Sequence, residues 1–359
     1  MHLANLTAYK PCNFSSIFAT KGYEMSDPIV IWGSGAIGGT IGAHLRKAGQ
    51  EVLFVDVVPE HVGEIAAGRL HIGGPLADFT IGAPAVTPDR MTGKHSLMLL
   101  AVKSQHTEAA TRALAQFLAP DGVVVSCQNG LNELTIAEIV GRQRTIGSFV
   151  NFGADYQGPG RITYGLRGAV VVGELDGHVT PRVERIHELL RLFEPDAVLS
   201  DNIFGYLWGK SAYGSILTYT ALTNNTIADF LDDPKRRPVI IRLAREILSI
   251  AAAENVTPLG FDGFDPQAFS AGNEAAIMES LEKLVVYNRG SGKPHTGIWR
   301  DLVVRKRPTE VPAQWISVHS AARRHGIETP LYDTLVTLIQ DVENGRAEIG
   351  EELADRLAG

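Results

Sequence analysis

The junction of Val30-Ile31-Trp32 with Gly33-Ser34-Gly35-Ala36-Ile37-Gly38 constrains this chain more than any other stretch. A short apolar run of that kind makes a buried strand, and the glycines directly behind it fit G-x-G-x-x-G. Beyond them Ile37, Ile41 and Leu45 recur at every fourth position, the spacing of one helix face, and Gly49 stands where a left-handed cap stops a helix. Strand, glycine turn and helix in that order give each glycine a task. Gly33 makes the tight turn, Gly35 lets backbone approach a pyrophosphate, and Gly38 lets the helix close on the strand. Ser34, Ala36 and Ile37 complete the loop, and the helix start offers unpaired N–H groups and a positive dipole end to phosphate oxygens. An ordinary glycine loop lacks these flanking elements, so the reading is a dinucleotide site.

The rest of the N-terminal half continues the pattern. Glu51 to Asp56 reads as a second parallel strand, closing a βαβ unit. Asp56 ends it about 20 residues past the glycines, where a carboxylate accepts hydrogen bonds from both adenosine ribose hydroxyls and repels a 2′-phosphate. The plainer reading is a solvated strand-end aspartate. No arginine follows at once, which favours NAD over NADP, although His61 and Arg69 stand near enough to serve a 2′-phosphate. Leu70 to Val86 reads as a small β excursion, and Ser96 to Val102 as a buried strand with Lys103-Ser104 at its carboxyl end. A helix to about Leu118 is followed by strands at Val123–Ser126 and Arg144–Val150, with Cys127-Gln128-Asn129-Gly130 as the exit turn between them. Gly158 to Leu175 reads as a hairpin turning at Pro159-Gly160; a helix over Pro181–Phe193 and a strand at Ala197–Leu199 follow. From Asp201 the strand pattern stops, and Ile203–Thr223, Arg237–Asn255, Gly272–Tyr287, Val311–Arg324 and Leu331–Asn344 read as helices.

The expected fold is therefore α/β: a doubly wound domain over 26–199 and an all-helical domain over 200–359, after an N-terminal extension over 1–25 with no assigned role. Two domains suit 359 residues. A formal charge of −7 argues against nucleic acid as a partner. The two cysteines, Cys12 and Cys127, have no metal-ligand or disulfide-framework spacing and suit a reducing, cytoplasmic setting. No apolar run reaches the roughly 18–20 residues of a membrane span, and no histidines pair at metal-ligand spacing.

Five segments taken together make the chain resemble the ketopantoate reductase family over about Pro28 to Val342. They are Gly33–Gly38, Ala101-Val102-Lys103, Gln128-Asn129-Gly130, Trp208-Gly209-Lys210 and Arg307-Pro308-Thr309-Glu310. The resemblance implies a Rossmann domain joined to a helical domain like the C-terminal part of 6-phosphogluconate dehydrogenase. It also implies reduction of a small 2-keto acid by NADH or NADPH, without a metal. It makes Lys210 the proton donor and Glu310 the carboxylate near it, with a first-turn dipole partner as the plainer reading of Glu310. It puts Lys103, Asn129 and the Gly153 backbone on the cofactor side, and Asn129 also on the substrate.

Two departures bear on the substrate. The family's asparagines four and eight residues past the lysine are replaced here by Gly214 and Thr218, and its serine before Asp301 by Thr296 or Gly297. A glycine offers no side-chain hydrogen bond, so the substrate face is rebuilt, with Gly214, Thr218 and Thr296 lining it beside Asn129 and Lys210. The basic segment from Trp299 to Arg307 reads as a solvated helix face, with capture of an anion as the alternative. Rival functions are a dehydrogenase for a sugar-derived or other hydroxy acid, and a dinucleotide-binding sensor that moves no hydride. The long helices suit a homodimer.

Overall fold

The computed structural model describes residues 27–290 and 293–358. The extension expected over 1–25, and Cys12 with it, lie outside the described residues. The N-terminal part contains β1 (Ile29–Trp32), α1 (Ala36–Lys47), β2 (Val52–Val55), α2 (Pro59–Ala66), β3 (Leu70–Gly73), β4 (Phe79–Ile81), β5 (Ala85–Val86) and β6 (His95–Leu100). It goes on with α3 (Thr107–Ala115), β7 (Leu118–Ser126), α4 (Asn132–Val140), β8 (Thr145–Val150), β9 (Gly153–Gly158), β10 (Arg161–Leu166), β11 (Val170–Glu174), α5 (Pro181–Arg191) and β12 (Val198–Leu199). The helical part is α6 (Ile203–Thr220), α7 (Ile227–Asp232), α8 (Arg237–Ala253), α9 (Pro266–Ala271), α10 (Glu274–Gly290), α11 (Gly297–Trp299), α12 (Val311–Arg324), α13 (Pro330–Glu343) and α14 (Glu351–Asp355).

Eight strands form the main sheet in the order β12-β11-β8-β7-β6-β1-β2-β5. It is parallel except where β11 meets β8. Its central strands are apolar throughout because both faces are covered. Ile29 and Ile31 belong to the core on one side, Val30 and Trp32 to the core on the other. The chain leaves β1 toward β2 on one side and returns at β6 on the other, so the carboxyl ends of β1 and β6 frame a switch-point crevice.

The excursion after α2 sends β3 and β4 into a separate four-stranded sheet, ordered β4-β3-β10-β9, that lies over α1. The turn at Pro159-Gly160 is where the sequence puts it, but the hairpin it closes is β9–β10. Val170–Glu174, read as its second arm, instead leaves for the main sheet and pairs with β8. Both segments alternate in the same way, so period alone does not separate them. The helix expected up to Leu118 is also shorter, because β7 already begins there.

Among the described residues, no named strand follows β12. Helix α6 is the axis of the helical part, apolar on most sides and opened by Asn202, whose side chain accepts from the Gly205 N–H. Its core runs on into the first part through Leu131, Phe149, Val171 and Leu175. No helix among the described residues is long and apolar enough to cross a membrane.

Candidate active site

The glycine loop after β1 does what its spacing requires. Gly33 takes φ +93°, and a Cβ there would lie 2.8 Å from the Val102 backbone nitrogen. At Gly38 a Cβ would come within 2.1 Å of the Gly33 carbonyl oxygen. Nothing stands within 4 Å of a Cβ built at Gly35. Gly35 precedes α1, no side chain caps that helix, and Ala36 and Ile37 begin it. Open space before uncapped N–H groups fits a pyrophosphate.

Asp56 follows β2 and faces this loop. Its Oδ2 accepts from the Ser34 N–H at 2.8 Å and the Ser34 hydroxyl at 3.3 Å, and Oδ1 accepts from the Val58 N–H at 3.1 Å. The carboxylate is thereby oriented, with lone pairs left for a diol. The two basic residues considered for a 2′-phosphate are engaged elsewhere. His61 is buried, its Nδ1 accepts from the Gly160 N–H at 2.9 Å, and its Nε2 therefore donates to the Ser34 carbonyl at 2.8 Å. Arg69 forms a two-pronged pair with Glu64.

Across the crevice, Lys210 on α6 reaches back to the sheet. Its ammonium donates to the Val150 carbonyl at the end of β8 and lies 5.0 Å from the centre of the Phe149 ring. Burial pushes its pKa down to about 8, opposed by the carboxylates of Glu310, Glu133 and Asp262. Such a lysine is a cation at neutral pH that readily gives up a proton.

Glu310 precedes α12 and influences Lys210, but its ion pair is with Lys103, at 3.4 Å, and its other oxygen accepts from the Gln314 amide. Lys103 also pairs with buried Asp301 at 3.3 Å. The basic segment around Asp301 is exposed over 304–308, as the sequence suggested, but its arginines are paired and not merely solvated. Arg300 and Arg305 both turn onto Asp155 of β9, and Arg305 and Arg307 onto Asp301. Burial raises the Asp301 pKa, but Arg305, Lys103 and Arg307 outweigh it and hold the carboxyl below its usual range. The pairs of Lys103 and of Asp155 tie the helical part to the end of β6 and to β9.

The remaining expected residues fall in different places. The side chain of Asn129 is exposed, and its carbonyl is pinned by the Ser104 hydroxyl at 2.8 Å and the Asn132 amide at 2.6 Å. Gly153 opens β9 against Leu166. Gly214, one turn beyond Lys210, has nothing within 4 Å of a built Cβ. Thr218 is 2% exposed and its hydroxyl donates to the Gly214 carbonyl, inside its own helix. Thr296 is buried and caps α11 by accepting from the Trp299 N–H.

The structure adds residues that the sequence reading missed. Asn151 follows Val150 and donates its amide to the Asp262 carboxylate, which sits in a left-handed turn (φ 49°) between α8 and α9. Glu133, in the first turn of α4, is fully buried. The Asn-Gly turn ahead of Glu133 was the available signal, but a first-turn glutamate reads as a surface dipole partner.

A glycine loop at a sheet switch point, with a lysine from the helical part at the same carboxyl edge of the sheet, fits an oxidoreductase that uses a nicotinamide dinucleotide. The chain belongs to the ketopantoate reductase family: "Ketopantoate reductase PanE/ApbA" matches residues 29–177 and "Ketopantoate reductase PanE/ApbA C terminal" residues 202–343. Among curated relatives, 2-dehydropantoate 2-reductase of Archaeoglobus fulgidus is 26% identical over 88% of this chain and 98% of its own length. That of Pyrococcus abyssi is 32% identical over 56% of this chain and 68% of its own. Among solved structures, a ternary complex of D-mandelate dehydrogenase with NADH and anilino(oxo)acetate has the same fold. It superposes with a TM-score of 0.75 at 20% identity, over 89% of this chain and 99% of that one.

Proposed function

We propose that this protein reduces a small 2-keto acid to the 2-hydroxy acid with NADH as the preferred nicotinamide cofactor. The observation that supports the reading is Lys210, a partly buried ammonium that the helical part holds at the carboxyl end of β8, on the same edge of the parallel sheet as the glycine loop. The cofactor, when bound, supplies the hydride that adds to the keto carbon. Negative charge then develops on the ketone oxygen, and Lys210 donates first a hydrogen bond and then its proton to it. Glu310, Asp262 and Glu133 favour the ammonium form that makes this possible. Asp56 accepts from the adenosine ribose hydroxyls, the α1 N–H groups hold the pyrophosphate, and Lys103 and Asn129 hold the nicotinamide-side ribose.

Two features bear on selectivity. Asp56, with His61 and Arg69 committed elsewhere, supports NAD over NADP. Open space at Gly214, where the family carries an asparagine, supports a substrate with a differently shaped end from ketopantoate. Thr296 and Asn129 are the polar groups proposed to meet its carboxylate end. The relatives' printed activity, 2-dehydropantoate reduction, makes ketopantoate the first substrate to try.

The test is oxidation of NADH and of NADPH, each with ketopantoate and a panel of 2-keto and sugar-derived acids. Turnover with at least one keto acid is expected, faster with NADH. Asp56→Ser should shift the NADPH-to-NADH ratio upward by roughly tenfold, the equivalent of about 1.4 kcal/mol. Tight NADH binding with no turnover across the panel would replace the enzyme by a dinucleotide sensor.

A further inference from the structure

Glu133 is 0% exposed, and neither of its carboxyl oxygens has a hydrogen bond of ordinary geometry. The hydroxyls of Ser126, at the end of β7, and Ser148, in β8, are sealed from solvent in the same condition. An isolated carboxylate in such a place is among the costliest groups a fold can hold, so it stays neutral unless a cation faces it. Among the described residues Glu133 makes no ion pair, and the cation whose charge reaches it is Lys210. Its ammonium bonds to Val150 and covers Phe149, the two residues that follow Ser148. The mechanism above gives Glu133 no contact with substrate or cofactor.

We propose that Glu133 is a positioning residue for the reaction, a sealed carboxyl whose ionised form keeps Lys210 protonated. The inference rests on the reading of Lys210 as proton donor. Burial pushes Glu133 up to about 8, opposed by its own backbone N–H, the Ser126 hydroxyl and Lys210. Burial likewise pushes Lys210 down to about 8. The two therefore titrate as a pair. In the state that has lost one proton from the carboxyl, the carboxylate holds the other on the amine. In that state the pair is neutral overall and the lysine is still charged, so it stays able to donate, as it already is at lower pH.

Other groups face the pair from every side. Around Lys210 stand Glu310 ahead of α12 and Asp262 between α8 and α9, which favour its charge, and Lys293 after α10, which opposes it. Beside Glu133 lies the Cys127 thiol, which burial pushes up to about 12, so it stays neutral across the range that matters.

Glu133→Gln keeps the volume and removes the charge. The alkaline limb of the kcat–pH profile reports loss of the Lys210 proton, and in the variant it should move to lower pH by roughly one unit. A purely structural glutamate would lower stability and leave the limb in place, so an unmoved limb overturns the proposal. Should Glu133→Gln fail to fold, wild type and Lys210→Ala are compared by denaturant unfolding against pH. Folded Glu133 holds a proton that the unfolded chain gives up near pH 4.3, so its contribution to stability falls as pH rises from about 4.3 to about 8. Removing the lysine should carry the end of that fall to higher pH, and an unmoved end point refutes the coupling. Full turnover by Lys210→Ala would defeat the proposed function itself. An inactive Lys210→Ala beside an unmoved Glu133→Gln limb defeats only the role of Glu133.

Discussion

Lys210 is held between two opposing influences, burial that favours the free amine and three acidic side chains whose ionised forms favour the ammonium. Reduction needs the ammonium, so kcat for the forward reaction should be flat below and fall as pH rises past about 8, as stopped-assay rates across pH will show. The glycine loop and Asp56 stood out as candidates in the sequence because each is fixed by its distance from a strand end, while Lys210 came from the family resemblance. Glu133, Asn151 and Asp262 were not. Their roles come from burial and from neighbours more than fifty residues away in the chain, and neither leaves a local pattern.

The β1–α1 unit depends on backbone approaching backbone. A methyl at Gly38 would lie 2.1 Å from the Gly33 carbonyl and 2.9 Å from the Ile31 side chain. Gly38→Ala must therefore push α1 off the sheet. The expected cost is about 1–3 kcal/mol, with a lower Tm and weaker NADH binding by fluorescence titration. Undisturbed binding would mean that the helix start does not hold the pyrophosphate. At this scale the sequence specified most helices and parallel strands, whose apolar runs are long or regular. It misassigned β11, because a strand that leaves one sheet for another keeps the same alternation. The short helices α7, α9 and α14 were too brief to carry a period, the last two with six and five residues.

In the whole molecule, the two parts share a continuous apolar seam and a set of ion pairs at the mouth of the crevice. Asp155 in β9 receives both Arg300 and Arg305 from the helical part. Asp155→Ala takes from Arg300 its carboxylate partner and leaves Arg305 with Asp301 alone. The pairs are partly solvated, so the loss should be roughly 1 kcal/mol, seen as a lower Tm at low salt that converges on wild type as salt is raised. An equal difference at every salt concentration would assign the effect to packing. The two-part architecture was readable from the point where the strand pattern stops. The ion pairs that join the parts were not, since the same arginines read in isolation as a solvated helix face.

The most direct measurement is steady-state oxidation of NADH in the presence of a 2-keto acid, wild type beside Lys210→Ala, with NADH affinity measured on both. The account predicts NADH binding close to wild type in the variant and kcat lower by roughly 10²-fold or more. Equal turnover in the two proteins would contradict it.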